Sequence, residues 1–367
     1  MSELDAPAAR LRDALADASR GLVERDVLVQ LIALSAVAGE HLLVIGPPGT
    51  AKSEAVRRVA TGLGGNFFEY LLGRFTEPGE IFGPVDLKRL RDGVVEARTE
   101  GMLPEADVAF LDEVFLGSTA ILNTLLGLLQ DRVYRRGSTL VRSPLRVCVG
   151  ASNALPADPA LSAFADRFLL RVFVTPVLDP DLEALLEAGW SGTPANPRTA
   201  SLSDVDALAT AARRADLAPV RRSLAGVVRT LRAQGVRLSD RRVVKLQKLV
   251  AAAAVLAGRE CPNEADLWPI VYAVPDAEGQ ALAKEALREL LASSENEALA
   301  AAAEDAAAGP VARAARLARA GEALLAEDGD VLSIEGVLRE IDAGFDPDAL
   351  PESLDALRPR LVAALER

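Results

Sequence analysis

Residues 46–53 have the composition and spacing of a phosphate-binding loop. They read Gly-Pro-Pro-Gly-Thr-Ala-Lys-Ser and directly follow the apolar run 42–45. A tight glycine and proline turn lets backbone N–H groups converge on phosphate oxygens, and a following helix adds its positive dipole end. We expect Lys52 to reach the β- and γ-phosphates of a nucleotide and Ser53 to hold Mg²⁺. The general pattern has glycine before the lysine, and this chain has Ala51 instead.

A second apolar run ends in two carboxylates. Residues 108–113 read Val-Ala-Phe-Leu-Asp-Glu, which is typical of a buried parallel strand. Ligands of open parallel sheets bind at the carboxyl ends of strands, so Asp112 is placed to hold Mg²⁺ and Glu113 to polarise an attacking water. Alternatively, the pair only caps and charges the next helix. The upstream loop favours the first interpretation, which assigns Mg²⁺ to Ser53 and Asp112, and nucleotide binding to Gly46, Pro47, Pro48, Gly49, Thr50, Ala51, Lys52, Ser53 and Asp112.

An asparagine follows the next apolar run. Asn153 lies in Gly-Ala-Ser-Asn-Ala-Leu at 150–155, at the end of a predicted strand. An asparagine in such a position is often a simple turn residue. Its place on the strand after the 108–113 motif favours a hydrogen bond to the attacking water or to the γ-phosphate.

Asp166-Arg167-Phe168 supplies a guanidinium. This group is permanently charged and forked, so it can stabilise charge on a transferring phosphoryl group. If Arg167 faces away from its own phosphate loop, it would act on a neighbouring subunit as an arginine finger. A surface ion pair with Asp166 is the alternative role, and Arg171 is the alternative finger.

Ser239-Asp240-Arg241-Arg242 opens a predicted helix much later in the chain. Ser239 or Asp240 is expected to cap this helix. One of the two arginines could then reach back to the γ-phosphate. The alternative is a capped helix with solvated arginines.

Apolar patterning predicts the elements that position these residues. Strands are expected at 42–46, 67–72, 107–111, 146–151 and 168–175, and helices at 52–63, at 118–130 and twice within 10–39. Asp92-Gly93 predicts a hairpin turn ahead of 94–98, and 132–142 a second hairpin. Strand–helix alternation of this kind predicts an α/β fold, a parallel sheet flanked by helices on both faces.

Beyond residue 176 the pattern becomes helical. Segments 176–180 and 191–198 are rich in loop-forming residues and indicate a boundary. Helices are predicted at 201–215, 220–234, 239–258, 263–273, 277–293 and 297–308, with two or three more in 311–367. The predicted domains are an α/β nucleotide-binding core (1–178), an α-helical domain (179–293) and an acidic, Ala-rich helical extension (294–367).

Composition excludes several classes of protein. The 367 residues hold one histidine and two cysteines, so we expect neither a multi-histidine metal site nor a zinc cluster, and a reducing, cytoplasmic location. His41 precedes the first strand and is interpreted as structural. No apolar run approaches the ~18 residues of a membrane span, and the acidic amino terminus has no apolar signal core, so no membrane insertion is expected.

Charge is unevenly distributed. The formal net charge is −12, and residues 291–367 carry 16 Asp and Glu against 7 Lys and Arg. Residues 1–290 therefore hold a net charge of only −3. Non-specific nucleic-acid affinity comes from cationic charge, so this composition argues against bulk attraction to DNA, although a local basic patch is compatible with it.

The motifs together resemble the MoxR family of AAA+ ATPases, in particular its RavA-like branch. The resemblance covers roughly residues 15–275 and rests on the phosphate loop, which has alanine before the lysine in that branch too, and on Phe-Leu-Asp-Glu-Val (110–114), Ala-Ile-Leu-Asn-Thr-Leu-Leu (120–126), Ala-Ser-Asn-Ala-Leu-Pro (151–156), Asp-Arg-Phe (166–168) and Ser-Asp-Arg-Arg (239–242).

The resemblance implies an ATP- and Mg²⁺-dependent AAA+ core with an α-helical lid, assembled as a hexameric ring with ATP sites between subunits. It implies that Asn153 is sensor 1, Arg167 the finger in trans and Arg241 sensor 2 from the lid. Segments 73–101 and 132–142 would be the helix-2 insert and the hairpin before sensor 1, both directed toward the pore. It also implies a partner with a von Willebrand factor A domain and chaperone-like remodelling of a protein client that the sequence does not identify.

Two other functions remain open. A nucleic-acid motor or loader shares the same core and would need basic pore loops, for which Lys88, Arg89, Arg91, Arg135 and Arg136 are candidates. A nucleotide-gated assembly scaffold would use ATP to set assembly, with turnover incidental. If the protein is such a scaffold, a Glu113→Gln variant locked with ATP would retain its biological activity.

Overall fold

The computed structural model of the chain describes residues 4–177, 179–192, 199–294, 296–308, 314, 317–318, 321–322, 324–325, 331–345 and 350–365. Within these ranges, no helix is both long and apolar enough to cross a membrane. The α/β part comes first in the chain and the helical part follows it, as predicted.

Five parallel strands form the central sheet, in the order β2-β3-β6-β1-β7, and β4 and β5 form a separate antiparallel hairpin. The strands are β1 (Leu42–Ile45), β2 (Phe67–Leu71), β3 (Val108–Asp112), β4 (Val133–Arg136), β5 (Thr139–Arg142), β6 (Val147–Ser152) and β7 (Leu170–Phe173). All five predicted core strands and the hairpin at 132–142 are therefore present.

Helices surround the sheet and continue beyond it. Those within the α/β part are α1 (Asp5–Ser19), α2 (Asp26–Ala38), α3 (Lys52–Leu63), α4 (Pro78–Phe82), α5 (Leu87–Arg91), α6 (Thr119–Asp131) and α7 (Pro159–Ala165). The helical part contains α8 (Leu182–Ser191), α9 (Leu202–Arg214), α10 (Arg221–Ala233), α11 (Asp240–Leu256), α12 (Ala277–Ala286), α13 (Arg288–Leu291) and α14 (Ala300–Ala307). Last come α15 (Val331–Gly344), α16 (Glu352–Asp355) and α17 (Arg358–Leu365).

Side chains of the sheet alternate between two apolar layers. Leu42 and Val44 of β1 pack in the layer that contains α1, α2 and α3, whereas Leu43 and Ile45 pack in the layer that contains α6. All four residues of β1 are buried because β6 and β7 pair with it on either side. The predicted parallel sheet with helices on both faces is confirmed.

The helical part shares the core of the α/β part. Trp268 is fully buried in the same apolar layer as α1–α3. The buried Tyr272 hydroxyl lies 2.8 Å from the carbonyl oxygen of Ala302 and 2.6 Å from the carboxylate of Asp305, both on α14. Helix α14 thus packs into the main body, and a separate apolar cluster is formed only by residues within 314–365. Residues 298–307 of the predicted extension 294–367 therefore contribute to the main core, whereas the described residues from 314 onward form the separate cluster, the C-terminal unit.

The C-terminal unit contacts the connection between the two parts of the main body. Arg339 on α15 donates to the carboxylate of Asp179 at 2.9 Å. Gly336, one turn earlier, lies so close that a Cβ there would approach the Asp179 side chain to 2.9 Å. The unit is therefore attached beside the segment that leads from β7 to α8.

The predicted hairpin at 92–98 is wrong. Asp86 accepts two backbone N–H groups and starts the short helix α5, and Asp92-Gly93 ends that helix, with Gly93 at φ +76°. A single antiparallel bridge joins Val85 and Ala97. The turn signal is real, but it follows a helix because the capping carboxylate lies upstream of it.

Two helical predictions also differ from the structure, and one helix was not predicted. Segment 263–273 forms two 3₁₀ turns, Glu264–Asp266 and Trp268–Ala273, because Pro269 lacks an N–H and disfavours helix at the residue before it. The predicted helix 277–293 divides at Leu287 into α12 and α13. Helix α8 was not predicted. Residues 193–198 of the predicted boundary loop lie outside the described residues.

The two inserts of the α/β part are joined to each other. Ser138, at the tip of the β4–β5 hairpin, donates from both its backbone N–H (3.0 Å) and its hydroxyl (2.8 Å) to the carbonyl oxygen of Val95. The N–H of Ala97 donates to the hydroxyl of Thr139 at 2.8 Å. The segment that contains α4 and α5 and the hairpin therefore form one unit.

Candidate nucleotide-binding site

The phosphate loop joins β1 to α3 through two residues in the left-handed region. Gly49 has φ +80° and Ala51 has φ +57°. The N–H of Gly46 donates to the carbonyl oxygen of Ser152 at 3.0 Å, which fixes the start of the loop to the end of β6. A Cβ at Gly46 would lie 2.2 Å from the carbonyl oxygen of Val174, so this position accepts only glycine.

Lys52 is the buried cation of the loop. It is 6% exposed, and its Nζ donates to the carbonyl oxygens of Gly46 (2.8 Å) and Pro47 (2.7 Å). Burial lowers the pKa of Lys52, the charges of Asp112 and Glu113 oppose this effect, and Arg25 adds to it. The ammonium group is thus held among loop carbonyls with both carboxylates of the second motif nearby.

The second and third motifs meet at the carboxyl edge of the sheet. Asp112 ends β3, and its Oδ1 accepts the N–H of Glu113 at 2.9 Å. Glu113 has φ +48°, so the chain turns sharply there. Asn153 follows β6, and its Nδ2 donates to Glu113 Oε1 at 2.6 Å. Two residues forty positions apart therefore form one polar pair beside the phosphate loop.

This arrangement fits a nucleoside triphosphate with Mg²⁺. The loop ends at the amino terminus of α3, a twelve-residue helix whose first N–H groups and dipole favour phosphate. Lys52 can turn from its two carbonyl partners to phosphate oxygens. Ser53 and Asp112 are half-buried oxygen donors, which suit Mg²⁺.

Arg167 and Arg171 lie at the other end of the sheet, and they differ in exposure. Arg171 on β7 is 6% exposed, donates to the carbonyl oxygen of Pro275 at 2.6 Å, and has its pKa lowered to about 10 chiefly by burial. Its guanidinium is therefore engaged inside its own chain. Arg167 is half-buried, and its Nε has no hydrogen-bond partner among the described residues. The ion pair of Asp166 is formed with Arg242, and not with Arg167.

Arg242 is buried and hydrogen-bonded to several segments, and it is not a solvated arginine. It is 2% exposed, and it donates to the Asp166 carboxylate at 2.5 Å and to the carbonyl oxygens of Phe168 (2.9 Å), Leu169 (2.8 Å) and Ala273 (2.8 Å). The capping prediction is confirmed, since the Ser239 hydroxyl accepts the N–H of Arg242. These bonds fix the start of α11 to the amino end of β7.

This position corrects the predicted direction of Arg241. Arg241 is exposed and adjoins Arg242, so it lies at the amino end of β7 together with Arg167. The phosphate loop follows the carboxyl end of β1, which pairs with β7 from Leu42↔Leu170 to Ile45↔Phe173. Four residues of strand separate the two ends by about 13 Å. Arg241 is therefore placed away from the phosphate loop of its own chain.

Arg25 was missed by sequence reasoning. It precedes α2, is 4% exposed, and donates from Nε to the carbonyl oxygen of Thr50 at 2.9 Å, inside the phosphate loop. Nothing in the sequence marks it, because an isolated arginine before a helix is normally a solvated charge. A cavity of about 300 Å³ between α2 and α9 contains none of the candidate site residues.

Two known protein families match parts of this chain. Residues 9–211 match the profile of the MoxR domain in the MoxR-vWA-beta-propeller ternary systems, and residues 216–282 match that of an AAA lid domain. The first match covers more than half of the chain.

Relatives include two uncharacterised proteins of Methanocaldococcus jannaschii. One is 37% identical over 247 residues, which cover 67% of this chain and 66% of that protein, and the other is 34% identical over 269 residues, which cover 73% and 70%. The chain thus spans about two thirds of the length of these relatives. The chaperone MoxR1 of Mycobacterium tuberculosis is 28% identical over 168 residues, which cover 45% of this chain and 44% of that protein.

A solved structure has the same fold. The crystal structure of a candidate ATPase from Cytophaga hutchinsonii superposes with a TM-score of 0.61 at 16% identity, covering 79% of this chain and 97% of that one. Fold and site together define an AAA+ nucleotide-binding protein: a parallel sheet flanked by helices, a phosphate loop, a strand-end carboxylate pair and an α-helical lid. The chain belongs to the MoxR family of AAA+ ATPases.

Proposed function

We propose that this protein is a Mg²⁺-dependent ATPase whose sites lie between neighbouring copies of the chain. The observation that carries the proposal is the Asn153–Glu113 hydrogen bond of 2.6 Å beside the buried Lys52. It unites three motifs at the one edge of the sheet where a parallel α/β fold binds ligands. Membership of an ATPase family supports the same activity.

Each residue then has a defined task. MgATP supplies the phosphoanhydride bond and the metal charge that compensates its oxygens. Lys52 binds phosphate oxygens, while Ser53 and Asp112 hold the metal. Glu113 accepts the proton of the attacking water, and Asn153 orients that carboxylate and polarises the water.

A neighbouring copy completes the site. Arg167 is half-buried and lies at the end of the sheet opposite its own phosphate loop, so it fits the arginine finger of a second subunit. Arg241 lies at the same end and would reach the same neighbouring nucleotide. We therefore propose that both arginines act in trans in a ring, of which a hexamer is the expected form.

The finer assignments follow from the family. We propose a chaperone-like remodelling role in the cytoplasm with a von Willebrand factor A domain partner, since the matching MoxR profile describes systems that contain such a domain. The expectation of a RavA-like branch remains a prediction. Co-purification with a von Willebrand factor A protein that depends on nucleotide tests the partner.

Two substitutions test the ATPase proposal. Lys52→Ala should abolish ATP binding, because the charge that compensates the phosphates is lost. Glu113→Gln should bind ATP with near-normal affinity and hydrolyse it at least about a hundredfold more slowly, the usual effect of removing a general base. Calorimetric affinity and phosphate release measure the two effects. Wild-type turnover by Glu113→Gln would refute the assignment of Glu113.

A nucleic-acid motor is the second candidate, and one surface favours it. Residues 213–241 contain eight arginines and two aspartates, in a chain of net charge −12. Helix α10 buries Leu224, Val227, Val228 and Leu231 and exposes Arg221, Arg222, Arg229 and Arg232 on its other side. Charge reversal at Arg222 and Arg229 should weaken salt-dependent DNA binding, measured by anisotropy, if this candidate is correct.

A further inference from the structure

Arg25 joins three segments that are distant in sequence. Its guanidinium donates to the carbonyl oxygens of Thr50 (2.9 Å), Glu24 (2.7 Å) and Thr175 (2.7 Å). Its side chain is buried, and burial lowers the pKa of Arg25 although the nearby negative charge of Glu24 opposes this effect. A buried charge whose hydrogen bonds go to neutral carbonyl groups, as these three do, is costly to maintain. Such an arrangement calls for a role beyond packing.

One of these segments is the start of the connection to the helical part. Thr175 lies two residues after the end of β7, and the chain continues from there to α8. The preceding residue, Val174, is the one whose carbonyl oxygen lies against Gly46 of the phosphate loop. The loop and the connection therefore meet at two points, directly at Gly46 and through the Arg25 side chain at Thr50.

Arg25 also lies at the amino end of α2, the helix against which the helical part packs. Its carbonyl oxygen accepts the N–H of Val29 in the first turn of α2. Helix α2 packs against α9, α11 and α14. A change at the phosphate loop that moves Arg25 can consequently reach the helical part by two routes, along the connection and through α2.

The phosphate loop has a reason to change. Its own groups bind each other: Lys52 donates to the carbonyl oxygens of Gly46 and Pro47, and the Thr50 hydroxyl donates to that of Pro47 at 2.9 Å. A bound polyphosphate needs the Lys52 donors for itself. The loop carbonyls are then released, and the Thr50 carbonyl that Arg25 holds belongs to the same short turn.

We propose that Arg25 is a positioning residue that transmits nucleotide occupancy of the phosphate loop to the connection at Thr175 and so to the helical part. This inference rests on the proposed ATPase function. It differs from the roles assigned to Lys52, Glu113 and Arg167, because Arg25 contacts backbone carbonyls on the protein side of the loop and need not touch the nucleotide.

The chain contains a natural reporter of this coupling. Trp190 on α8 is 94% exposed, and Trp268, the other tryptophan, is fully buried. The emission of Trp190 is obtained by subtracting that of the Trp190→Phe variant. In the wild type, saturating ADP should shift this emission, and it should change the hydrogen exchange of residues 174–192.

The test variant is Arg25→Gln. We expect it to fold, to bind ADP more weakly because the phosphate loop loses the Arg25–Thr50 contact that positions it, and to lose the Trp190 shift even when saturated with ADP. Arg25→Lys keeps the charge but not the three-way contact and should show a reduced shift; it replaces Arg25→Gln if that variant does not fold. Arg57→Gln is the matched control, since Arg57 is an exposed arginine of α3 that binds Glu54 and Glu69.

The outcomes separate the inference from the function on which it rests. A full Trp190 shift in saturated Arg25→Gln, or the same loss in Arg57→Gln, overturns the role of Arg25 while leaving the ATPase intact. A wild type that binds ADP without any change at Trp190 or in residues 174–192 also overturns it. Failure of the wild type to bind any adenine nucleotide overturns the ATPase proposal and the inference together.

Discussion

At the scale of single residues, the phosphate loop shows what a sequence reveals and what it hides. The positions of Lys52 in a phosphate loop and of Glu113 at a strand end could be predicted from motif spacing, because glycine turns and strand-end carboxylates leave a local pattern. The buried contacts of Arg25 and Arg242 could not be predicted, although Arg242 belongs to one of the motifs. Each is an ordinary arginine in sequence, and its burial against carbonyl groups depends on segments that lie far away in the chain.

Ala51 offers a test at this scale. Its φ of +57° costs an L-residue about 1–2 kcal/mol. Ala51→Gly should remove that strain, partly offset by a more flexible unfolded chain, and stabilise the protein by roughly 0.5–1 kcal/mol. Ala207→Gly, at an exposed position in α9, should instead destabilise it by about 1 kcal/mol. Urea unfolding compares the two variants, and an equal loss in both would show that Ala51 is unstrained.

At the scale of elements, local signals predicted α3, α6 and the hairpin at 132–142 well, since each begins or ends with a cap or turn residue. They failed where one residue changed the local geometry. Asp86 caps a short helix directly before the predicted hairpin turn at Asp92-Gly93. Pro269 favours 3₁₀ turns where a helix was predicted. Helix α8 escaped prediction because segments that each contain two prolines, 176–180 and 191–198, flank it and resemble one continuous loop.

His41 provides a prediction at this scale. The structural interpretation agrees with its contacts: it is buried before β1, its Nδ1 accepts the N–H of Cys148 at 2.9 Å, and its Nε2 lies 2.9 Å from the carbonyl oxygen of Leu129. Burial, and then the nearby Arg132, lower its pKa well below 6.5. Below about pH 6.5 the His41 imidazole therefore binds a proton in the unfolded chain but stays neutral in the folded one until a lower pH.

Stability should consequently fall as the pH drops below about 6.5, with a slope that approaches about 1.4 kcal/mol per pH unit from this group. His41→Gln, which does not titrate, should be less stable at pH 7.5 but lose less stability between pH 6.5 and 5. Thermal unfolding across this range measures the slopes. Parallel pH profiles for the two proteins would contradict the assignment.

At the scale of the whole molecule, the shared core decides where the chain can be divided. The sequence suggested a boundary at residue 294 because composition becomes Ala-rich and acidic there. Composition does not reveal that Tyr272 bonds α14 or that Leu299 is fully buried in the main core. We expect residues 1–308 to keep the melting temperature of the full chain, whereas residues 1–294 should lose several kcal/mol through exposed apolar surface. Equal melting temperatures for the two fragments would contradict this division.

The proposed shared site gives a second test at this scale. Arg167→Ala and Glu113→Gln should each be nearly inactive alone, the first for lack of a finger and the second for lack of a base. When the two are mixed, the intact Arg167 of one variant can serve the intact site of the other. Random assembly would restore about a quarter of the sites. Phosphate release from the mixture measures this, and no recovery would place Arg167 outside the shared site.

The junction between Val95 and Ser138 has a mechanical consequence. The segment that contains α4 and α5 and the β4–β5 hairpin are hydrogen-bonded to each other, so we expect them to move together and not independently. The hairpin leads into β6, the strand that ends beside Asn153. A movement of the two joined segments would therefore be coupled to the edge of the sheet where Asn153 contacts Glu113 in the same subunit. Leu87 on α5 and Leu140 on β5 are 69% and 64% exposed, and these two apolar side chains would then move together against a bound client.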